Sequence, residues 1–380
     1  MSRPAPRPAV AALAPYVPGR PIEEVEAQYG IHGAVKLASN ENPLGPSPKA
    51  LEAAAKALLE VHRYPDGSAT FLRRAIAERF AVEADQVILG AGASELIDIT
   101  IRSFVDPGDE VVVPHGIFGM FPVATGRAAG RLVRVPTRPD LTPDLPAMRE
   151  AIGPRTKVVA LANPNNPTGA YARREELDRF VASLPEEVLF VLDEAYFEFA
   201  AGLVPDYPDG LVHLRAGRPI LVLRTFSKIA GLAGLRIGYG FGPVEVLSAM
   251  HKVREPFNAN LVAQAAALAA LDDTEHRTRV RDLVVAERAR LFSALSERRL
   301  AVHPSIGNFL LVEVDGEFAP LEPEFARRGV IVRPMAGWGY PRGFRVSVGT
   351  REENDRFLAV LDELRAVGRI GAAPAGAVAG

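Results

Sequence analysis

Cysteine is absent from this 380-residue chain, which excludes a disulfide framework, a thiolate metal site and a thiol nucleophile. A long apolar run is missing from the proline-rich start, MSRPAPRPAVAALAPYVPG, which resembles neither a signal peptide nor a membrane span. An excess of charge is missing too, since 44 Lys and Arg face 46 Asp and Glu. We therefore expect a cytoplasmic protein that binds small molecules, with no affinity for nucleic acid or membranes.

Lysine is scarce, which shortens the list of amine nucleophiles to Lys36, Lys49, Lys56, Lys157, Lys228 and Lys252. The length exceeds one ordinary core and predicts two domains. Seven short apolar runs predict strands, and they are unbroken, as in strands that are buried on both faces: 86–90, 110–113, 131–135, 157–162, 188–192, 220–223 and 237–241. Segments with helical periodicity, such as 94–104 and 173–183, lie between them. This alternation predicts an α/β fold with a mostly parallel seven-stranded sheet between helices.

The pattern changes after about residue 255, where long helices (261–271 and 275–299) precede short strands (309–314 and 344–348). This change predicts a smaller α+β C-terminal domain. We expect an N-terminal arm over 1–40, a large domain over 41–260, a small domain over 261–370 and a disordered tail over 371–380.

Polar residues follow four of the predicted strands, and ligands in open α/β sheets bind beyond the carboxyl ends of strands. The four segments are Asp193 to Tyr196, Asn163 to Gly169, Arg224 to Lys228 with the glycine-rich stretch that follows, and Ala91 to Glu95. Taken alone, an Asp in such a place commonly caps a helix, a turn rich in Asn and Pro is ordinary, and most lysines are solvated.

Their combination favours one chemistry. A lysine beside hydroxyl and apolar residues can form a Schiff base with an aldehyde cofactor, and a carboxylate can keep a pyridine nitrogen protonated. The helix start after Gly92 offers N–H groups to a phosphate, although the third glycine of a dinucleotide fingerprint is missing. These features together predict pyridoxal phosphate as the cofactor.

The chain resembles fold-type I aminotransferases, specifically the histidinol-phosphate aminotransferase family, over nearly its whole length. The motifs that carry the resemblance occur in order: LAPYVPG, KLASNENPLGPSP, RYPDG, GAGASELI, NPNNPTG, DEAYFEF, TFSKIAGLAGLRIGY, VIVRPMAGWGY and FRVSVGTREEND. The resemblance implies that Lys228 forms the Schiff base and moves a proton between the substrate α-carbon and C4′ of the cofactor.

The resemblance also implies roles for other residues. Asp193 would pair with the pyridinium nitrogen, and Asn166 and Tyr196 would contact the phenolic oxygen. Phe118 would stack on the ring. The phosphate would be bound by Ala93, Ser94, Thr225, Ser227 and Arg236, together with Tyr64 of the other subunit in a homodimer with composite active sites. Tyr64 is also open to an ordinary role as a packed tyrosine.

The substrate residues implied by the resemblance are Tyr16, Arg333 and Arg345. Arg345 stands where fold-type I aminotransferases bind an α-carboxylate, and both arginines with Tyr16 would bind the phosphate of histidinol phosphate. An arginine on a strand is otherwise commonly half of an ion pair. The implied reaction transfers the amino group of histidinol phosphate to 2-oxoglutarate through pyridoxamine phosphate, which gives imidazole acetol phosphate and glutamate by ping-pong kinetics.

Three alternatives stay open. An aromatic amino acid aminotransferase would use the same fold and cofactor. A decarboxylase or C–S lyase would use them without an oxo acid. A cofactor-sensing regulator would need a DNA-binding module, which the first forty residues are too short and proline-rich to supply.

Overall fold

The computed structural model describes residues 4–14 and 18–371, so that Tyr16 and residues 372–380 of the predicted tail lie outside the described residues. The described strands are β1 (Val35–Lys36), β2 (Val87–Gly90), β3 (Glu110–Pro114), β4 (Arg131–Val135), β5 (Thr156–Ala162), β6 (Leu189–Asp193), β7 (Ile220–Thr225), β8 (Gly238–Phe241), β9 (Ala301–Val302), β10 (Phe309–Glu313), β11 (Val330–Ile331), β12 (Arg333–Pro334) and β13 (Gly343–Ser347).

Helices connect most of these strands. They are α1 (Pro8–Ala11), α2 (Ile22–Tyr29), α3 (Pro48–Ala57), α4 (Thr70–Phe80), α5 (Ala93–Phe104), α6 (Met120–Arg127), α7 (Leu145–Glu150), α8 (Arg174–Ser183), α9 (Leu211–Arg215), α10 (Val244–Val253), α11 (Leu261–Asp272), α12 (Thr274–Glu297), α13 (Glu322–Arg327) and α14 (Arg351–Ala366). Within residues 4–14 and 18–371, no helix has both the length and the apolarity needed to cross a membrane.

The large sheet has seven strands in the order β2-β8-β7-β6-β5-β3-β4. Neighbours from β7 to β4 pair in parallel, and β8 runs antiparallel to both β7 and β2. The predicted mostly parallel seven-stranded sheet is therefore confirmed. The carboxyl ends of β2, β5, β6 and β7 lie at the same edge of the sheet.

Successive residues of the central strands pack on opposite faces of the sheet. In β5, Val159 and Leu161 belong to one hydrophobic core, while Val158 and Ala160 belong to another. A strand that is covered by helices on both faces needs apolar residues at every position, because its side chains alternate between the faces. This packing accounts for the unbroken apolar runs of the sequence.

A second, four-stranded antiparallel sheet in the order β12-β13-β10-β9 lies in the C-terminal part of the chain. It shares a separate core with α12 and α14. Residues 22–36 of the predicted arm join this part, because β1 pairs in parallel with β11 and α2 contacts α13. The strands that follow one another here, β12 and β13, carry the two predicted substrate arginines.

Candidate active site

A cavity of about 260 Å³ lies at the carboxyl edge of the large sheet, between that sheet and the hairpin of β12 and β13. Its wall contains most of the predicted site residues. They are Ala93, Ser94, Phe118, Asn166, Asp193, Tyr196, Thr225, Ser227, Lys228, Arg236, Arg333 and Arg345. Residues up to 252 positions apart in the sequence therefore meet in one cavity, as the strand-end pattern predicts.

Lys228 follows β7 by three residues and is half-buried in the cavity wall. Its Nζ donates a hydrogen bond to the carbonyl oxygen of Ser39 at 3.1 Å. Burial, together with the nearby charge of Arg345, lowers the pKa of Lys228 to about 8. A substantial fraction of this amine is therefore neutral near physiological pH, as a nucleophilic amine must be.

Asp193 is the last residue of β6, and its carboxylate is buried at the floor of the cavity. One carboxylate oxygen accepts a hydrogen bond from the backbone N–H of Ala195 at 3.0 Å. Burial raises the pKa of Asp193 to about 6, against which the charge of Lys228 acts in the opposite direction. A cationic group bound in the cavity would offset the desolvation of this carboxylate.

Tyr196 lies on the wall next to Asp193, and its ring packs edge to face on Phe309 at 5.0 Å. The phenolic oxygen accepts a hydrogen bond from the side-chain amide of Asn40 at 2.8 Å. Asn166, in the turn after β5, accepts a hydrogen bond from the guanidinium of Arg345. The cavity thus has a phenol and an amide near the lysine, both held by hydrogen bonds.

One end of the cavity has the composition of a phosphate site. Helix α5 begins there at Ala93, directly after Gly92, and the first N–H groups of a helix favour anions. Thr225 and Ser227 supply hydroxyls, and the guanidinium of Arg236 donates to the carbonyl of Ala91 at 3.3 Å. Helix dipole, hydroxyls and guanidinium together suit a dianion.

Gly92 allows the start of α5 and the guanidinium of Arg236 to lie close together at the phosphate end of the cavity. Its φ of 84° lies in the region that glycine adopts without strain. A Cβ atom at this position would overlap the guanidinium of Arg236. The close approach of helix start and guanidinium therefore depends on the missing side chain.

Two arginines of the C-terminal sheet also line the cavity. Arg333 on β12 and Arg345 on β13 are direct partners in the antiparallel register. Arg345 is buried and donates to the carbonyl of Ala38 at 2.6 Å, while the guanidinium of Arg333 lies 5.2 Å from the ring centre of Trp338. Like charges in directly opposite positions repel, so an anion bound between them would be favourable.

Comparison with known proteins agrees with this geometry. The family Aminotransferase class I and II matches residues 33–361. Histidinol-phosphate aminotransferase of Anaeromyxobacter sp. (strain Fw109-5) is 47% identical over 358 residues, which cover 94% of this chain and 98% of that protein. Histidinol-phosphate aminotransferase 2 of Pseudomonas aeruginosa is 46% identical over 362 residues, which cover 95% of this chain and 97% of that protein.

The chain belongs to the histidinol-phosphate aminotransferase family. The fold agrees: the crystal structure of histidinol-phosphate aminotransferase from Sinorhizobium meliloti, in complex with pyridoxal-5'-phosphate, superposes with a TM-score of 0.87 at 31% identity. The match covers 95% of this chain and 98% of that one. The predicted fold-type I architecture is thereby confirmed.

One residue that the family resemblance assigned to the site, Tyr64, does not line the cavity of this chain. Tyr64 is 82% exposed and stacks on Phe257 with ring centres 4.7 Å apart. Tyr16 lies outside the described residues. A role for Tyr64 at the phosphate therefore requires the cavity of a second subunit, as the resemblance implies.

Several residues that line the cavity were not predicted from the sequence. Ala38, Ser39 and Asn40 line the cavity, as does Trp338. The sequence does contain a signal for Ser39 and Asn40, because the polar segment SNENP directly follows the apolar pair Leu37 and Ala38. The location of this segment at the cavity depends on the long-range pairing of β1 with β11.

Proposed function

We propose that this chain transfers the amino group of histidinol phosphate to 2-oxoglutarate and so produces imidazole acetol phosphate and glutamate in histidine biosynthesis. The observation that carries the proposal is the pair Arg333 and Arg345, which face one another in register in the cavity that also contains Lys228. Two guanidinium groups suit the phosphate of the donor, and Arg345 suits the carboxylate of the acceptor.

Pyridoxal phosphate is the cofactor in this proposal. When bound, it supplies an aldehyde that reacts with amines and a pyridine ring that withdraws electrons from the substrate α-carbon. The cavity suits it at three points: an amine at Lys228, a buried carboxylate at Asp193 and the phosphate site at the start of α5. Phe118 provides an aromatic surface in the same wall.

Several residues of the chain have separate roles in the proposed reaction. Lys228 Nζ accepts the proton that leaves the substrate α-carbon and would deliver it to C4′ of the bound cofactor, with the reverse transfer in the second half-reaction. A pKa of about 8 permits both transfers near neutral pH. Asp193 keeps the ring nitrogen protonated through its buried charge. Tyr196 and Asn166 orient the ring at its phenolic oxygen. Because both substrates need Arg345 and Lys228, they react in turn at one site, in a ping-pong sequence.

The proposal includes a homodimer in which Tyr64 contacts the cofactor phosphate in the partner's cavity. Residues 58–71 carry several exposed apolar side chains, among them Leu59 at 78% and Phe71 at 74% exposure. Apolar surface of this kind marks contact with another protein. Tyr64 lies within this segment.

Two further parts of the proposal concern organisation and location. We propose the division into an arm (1–40), a large domain (41–260) and a small domain (261–370), and residues of all three line the cavity. We also propose a cytoplasmic location.

A donor screen tests the proposal. Purified protein loaded with cofactor would be supplied with 2-oxoglutarate and with histidinol phosphate, phenylalanine, tyrosine or aspartate, and glutamate formation would be measured. We expect histidinol phosphate to have the highest kcat/KM. A preference for phenylalanine or tyrosine would replace the proposal with an aromatic amino acid aminotransferase, and turnover without any oxo acid would indicate a decarboxylase or lyase.

A further inference from the structure

Three consecutive residues each contact one side chain of the active site. The carbonyl of Ala38 accepts a hydrogen bond from Arg345 at 2.6 Å, and the carbonyl of Ser39 accepts one from Lys228 at 3.1 Å. The side-chain amide of Asn40 donates to the phenolic oxygen of Tyr196 at 2.8 Å. The segment 38–40 follows β1 and lies outside the seven-stranded sheet.

Asn40 is the residue of this segment that contacts the active site through its side chain. It is 1% exposed, and its φ of 54° lies in the left-handed region, which Asn tolerates better than most residues. Its backbone N–H donates to the hydroxyl of Ser347 at 2.7 Å, and its carbonyl accepts from the amide of Asn308 at 3.0 Å. The backbone of Asn40 is therefore fixed from two directions.

The orientation of the Asn40 amide follows from the same contacts. The hydroxyl of Ser347 accepts the backbone N–H of Asn40 and donates its own hydrogen to Oδ1 of Asn40 at 3.1 Å. With Oδ1 occupied as an acceptor on that side, the NH₂ group faces Tyr196. Its hydrogen bond occupies a lone pair of the phenol, which leaves the phenolic hydrogen to point elsewhere.

We propose that Asn40 is a positioning residue that fixes Tyr196 as a hydrogen-bond donor toward the cofactor's phenolic oxygen. The inference rests on the proposed function, because it takes the cofactor and the contact of Tyr196 from it. A phenol without the Asn40 amide could rotate its hydrogen toward other acceptors. With the amide in place, the oxygen accepts on one side and donates into the cavity on the other.

The consequence is a measurable change in the cofactor. A donor at the phenolic oxygen withdraws negative charge from it, and this charge stabilises the proton on the nitrogen that links Lys228 to the cofactor. Loss of the donor therefore raises the pKa of that linkage, which is read from the pH dependence of its visible absorbance. The readout requires no turnover.

The test compares Asn40→Gly and Asn40→Asp with wild type and with Tyr196→Phe. Glycine retains the left-handed backbone and removes the amide, and aspartate retains the shape but replaces the donor with an acceptor. We expect both variants to raise the pKa of the linkage by about one pH unit, in the direction of Tyr196→Phe. Ser347→Ala, which removes the group that orients the amide, should give a smaller rise.

A double variant distinguishes a positioning role of Asn40 from a general effect of the substitution on the structure. In the Tyr196→Phe background, Asn40→Gly should cause no further shift, because the amide has lost the group through which it acts. Asn40→Gly also leaves unchanged the charges around Lys228, which are those of Arg345, Glu41, Arg236 and Asp193. A shift in the pKa of the linkage in that variant therefore cannot come from a change in formal charge.

Two results would overturn the inference: single variants that titrate like wild type, or a shift that persists in full without the Tyr196 hydroxyl. Failure of the proposed substrate is a separate outcome, since a loaded protein that rejects histidinol phosphate can still be titrated. Absence of any absorbance that depends on Lys228 would overturn both proposals. Thermal melting of each variant shows whether it is folded.

Discussion

Lys228 is the residue whose protonation controls entry of the cofactor. Burial and the charge of Arg345 hold its pKa at about 8, so that the neutral amine is a minor species at pH 6 and the major one at pH 9. We predict that the rate of cofactor attachment to apoprotein rises about tenfold per pH unit below pH 8 and levels off above it. Stopped-flow absorbance after mixing with pyridoxal phosphate measures this rate.

Replacement of the lysine supplies the control. Lys228→Ala should form no borohydride-reducible link to the cofactor and show no transamination, because the described residues of the cavity wall include no second lysine. Lys252→Ala, at a lysine outside the cavity wall, should behave as wild type. A reducible link at the wild-type level in Lys228→Ala would refute the assignment.

Substitutions of Arg333 and Arg345 distinguish histidinol phosphate from an aromatic amino acid as the amino donor. A charge-assisted contact to phosphate contributes about 1.5 to 3 kcal/mol, so Arg333→Ala should lower kcat/KM for histidinol phosphate about tenfold to a hundredfold. Arg345→Ala should impair both half-reactions, because 2-oxoglutarate uses the same guanidinium. Steady-state kinetics with each substrate varied in turn measures both effects.

The matched control is Arg342→Ala in the same hairpin. Arg342 pairs with Glu313 at 3.0 Å and does not line the cavity, so its loss should leave kcat/KM nearly unchanged. An aromatic amino acid aminotransferase would respond differently, with little effect of Arg333→Ala on phenylalanine and poor use of histidinol phosphate by the wild type.

The strands and helices show how far the sequence alone predicts this fold. Each predicted run became a strand of the large sheet. The central strands are buried on both faces and therefore need apolar residues at nearly every position, whereas the edge strand β4 exposes Arg131 and Arg134. The direction of β8 could not be predicted, since a short strand of sequence GYGF is compatible with either orientation. The pairing of β1 with β11 joins residues almost 300 positions apart and leaves no local signal.

The site was predictable to the extent that it is built on strand ends. Asp193 ends β6, Tyr196 and Lys228 lie within three residues of the ends of β6 and β7, and all three meet in the cavity, as expected from the sheet edge. Asn40 was not identified, because its function depends on tertiary contacts with Ser347 and Asn308. A residue that acts through another side chain has no pattern of its own in the sequence.

The junction of β2 and α5 gives a prediction at the scale of an element. Gly92→Ala would place a Cβ against Arg236 and force a residue with a side chain to a φ of 84°. Backbone strain of about 1 to 3 kcal/mol is expected there, which corresponds to cofactor binding weaker by about tenfold to a hundredfold. Titration of the apoprotein with pyridoxal phosphate measures the affinity.

Gly234→Ala is the matched control for that variant. A Cβ at Gly234 meets no atom within 4 Å, although this glycine lies two residues from Arg236. The control should bind the cofactor as tightly as wild type. Equal losses in both variants would show that the effect is not specific to position 92, and wild-type affinity in Gly92→Ala would contradict the role of this glycine.

At the scale of the whole molecule, the question is whether one chain contains a complete site. In this chain the phosphate end of the cavity is formed by α5, the turn after β7 and Arg236. Tyr64 instead lies exposed on the segment 58–71. If the proposed dimer forms, each cavity has Lys228 from one chain and Tyr64 from the other.

Mixing two impaired variants distinguishes this arrangement from a complete site in each chain. Lys228→Ala lacks the amine, and Tyr64→Ala should bind the cofactor about tenfold more weakly because the phosphate loses a hydrogen bond. In a mixed dimer, the cavity that retains Lys228 receives an intact Tyr64 from the partner, while the other cavity lacks both. Unfolding and refolding an equal mixture should therefore restore about a quarter of the wild-type sites, measured at limiting cofactor. If Tyr64 acts within its own chain, every cavity with Lys228 still lacks it, and the mixture stays as weak as the Tyr64→Ala protein. The amount of recovered activity thus decides whether the partner completes the site.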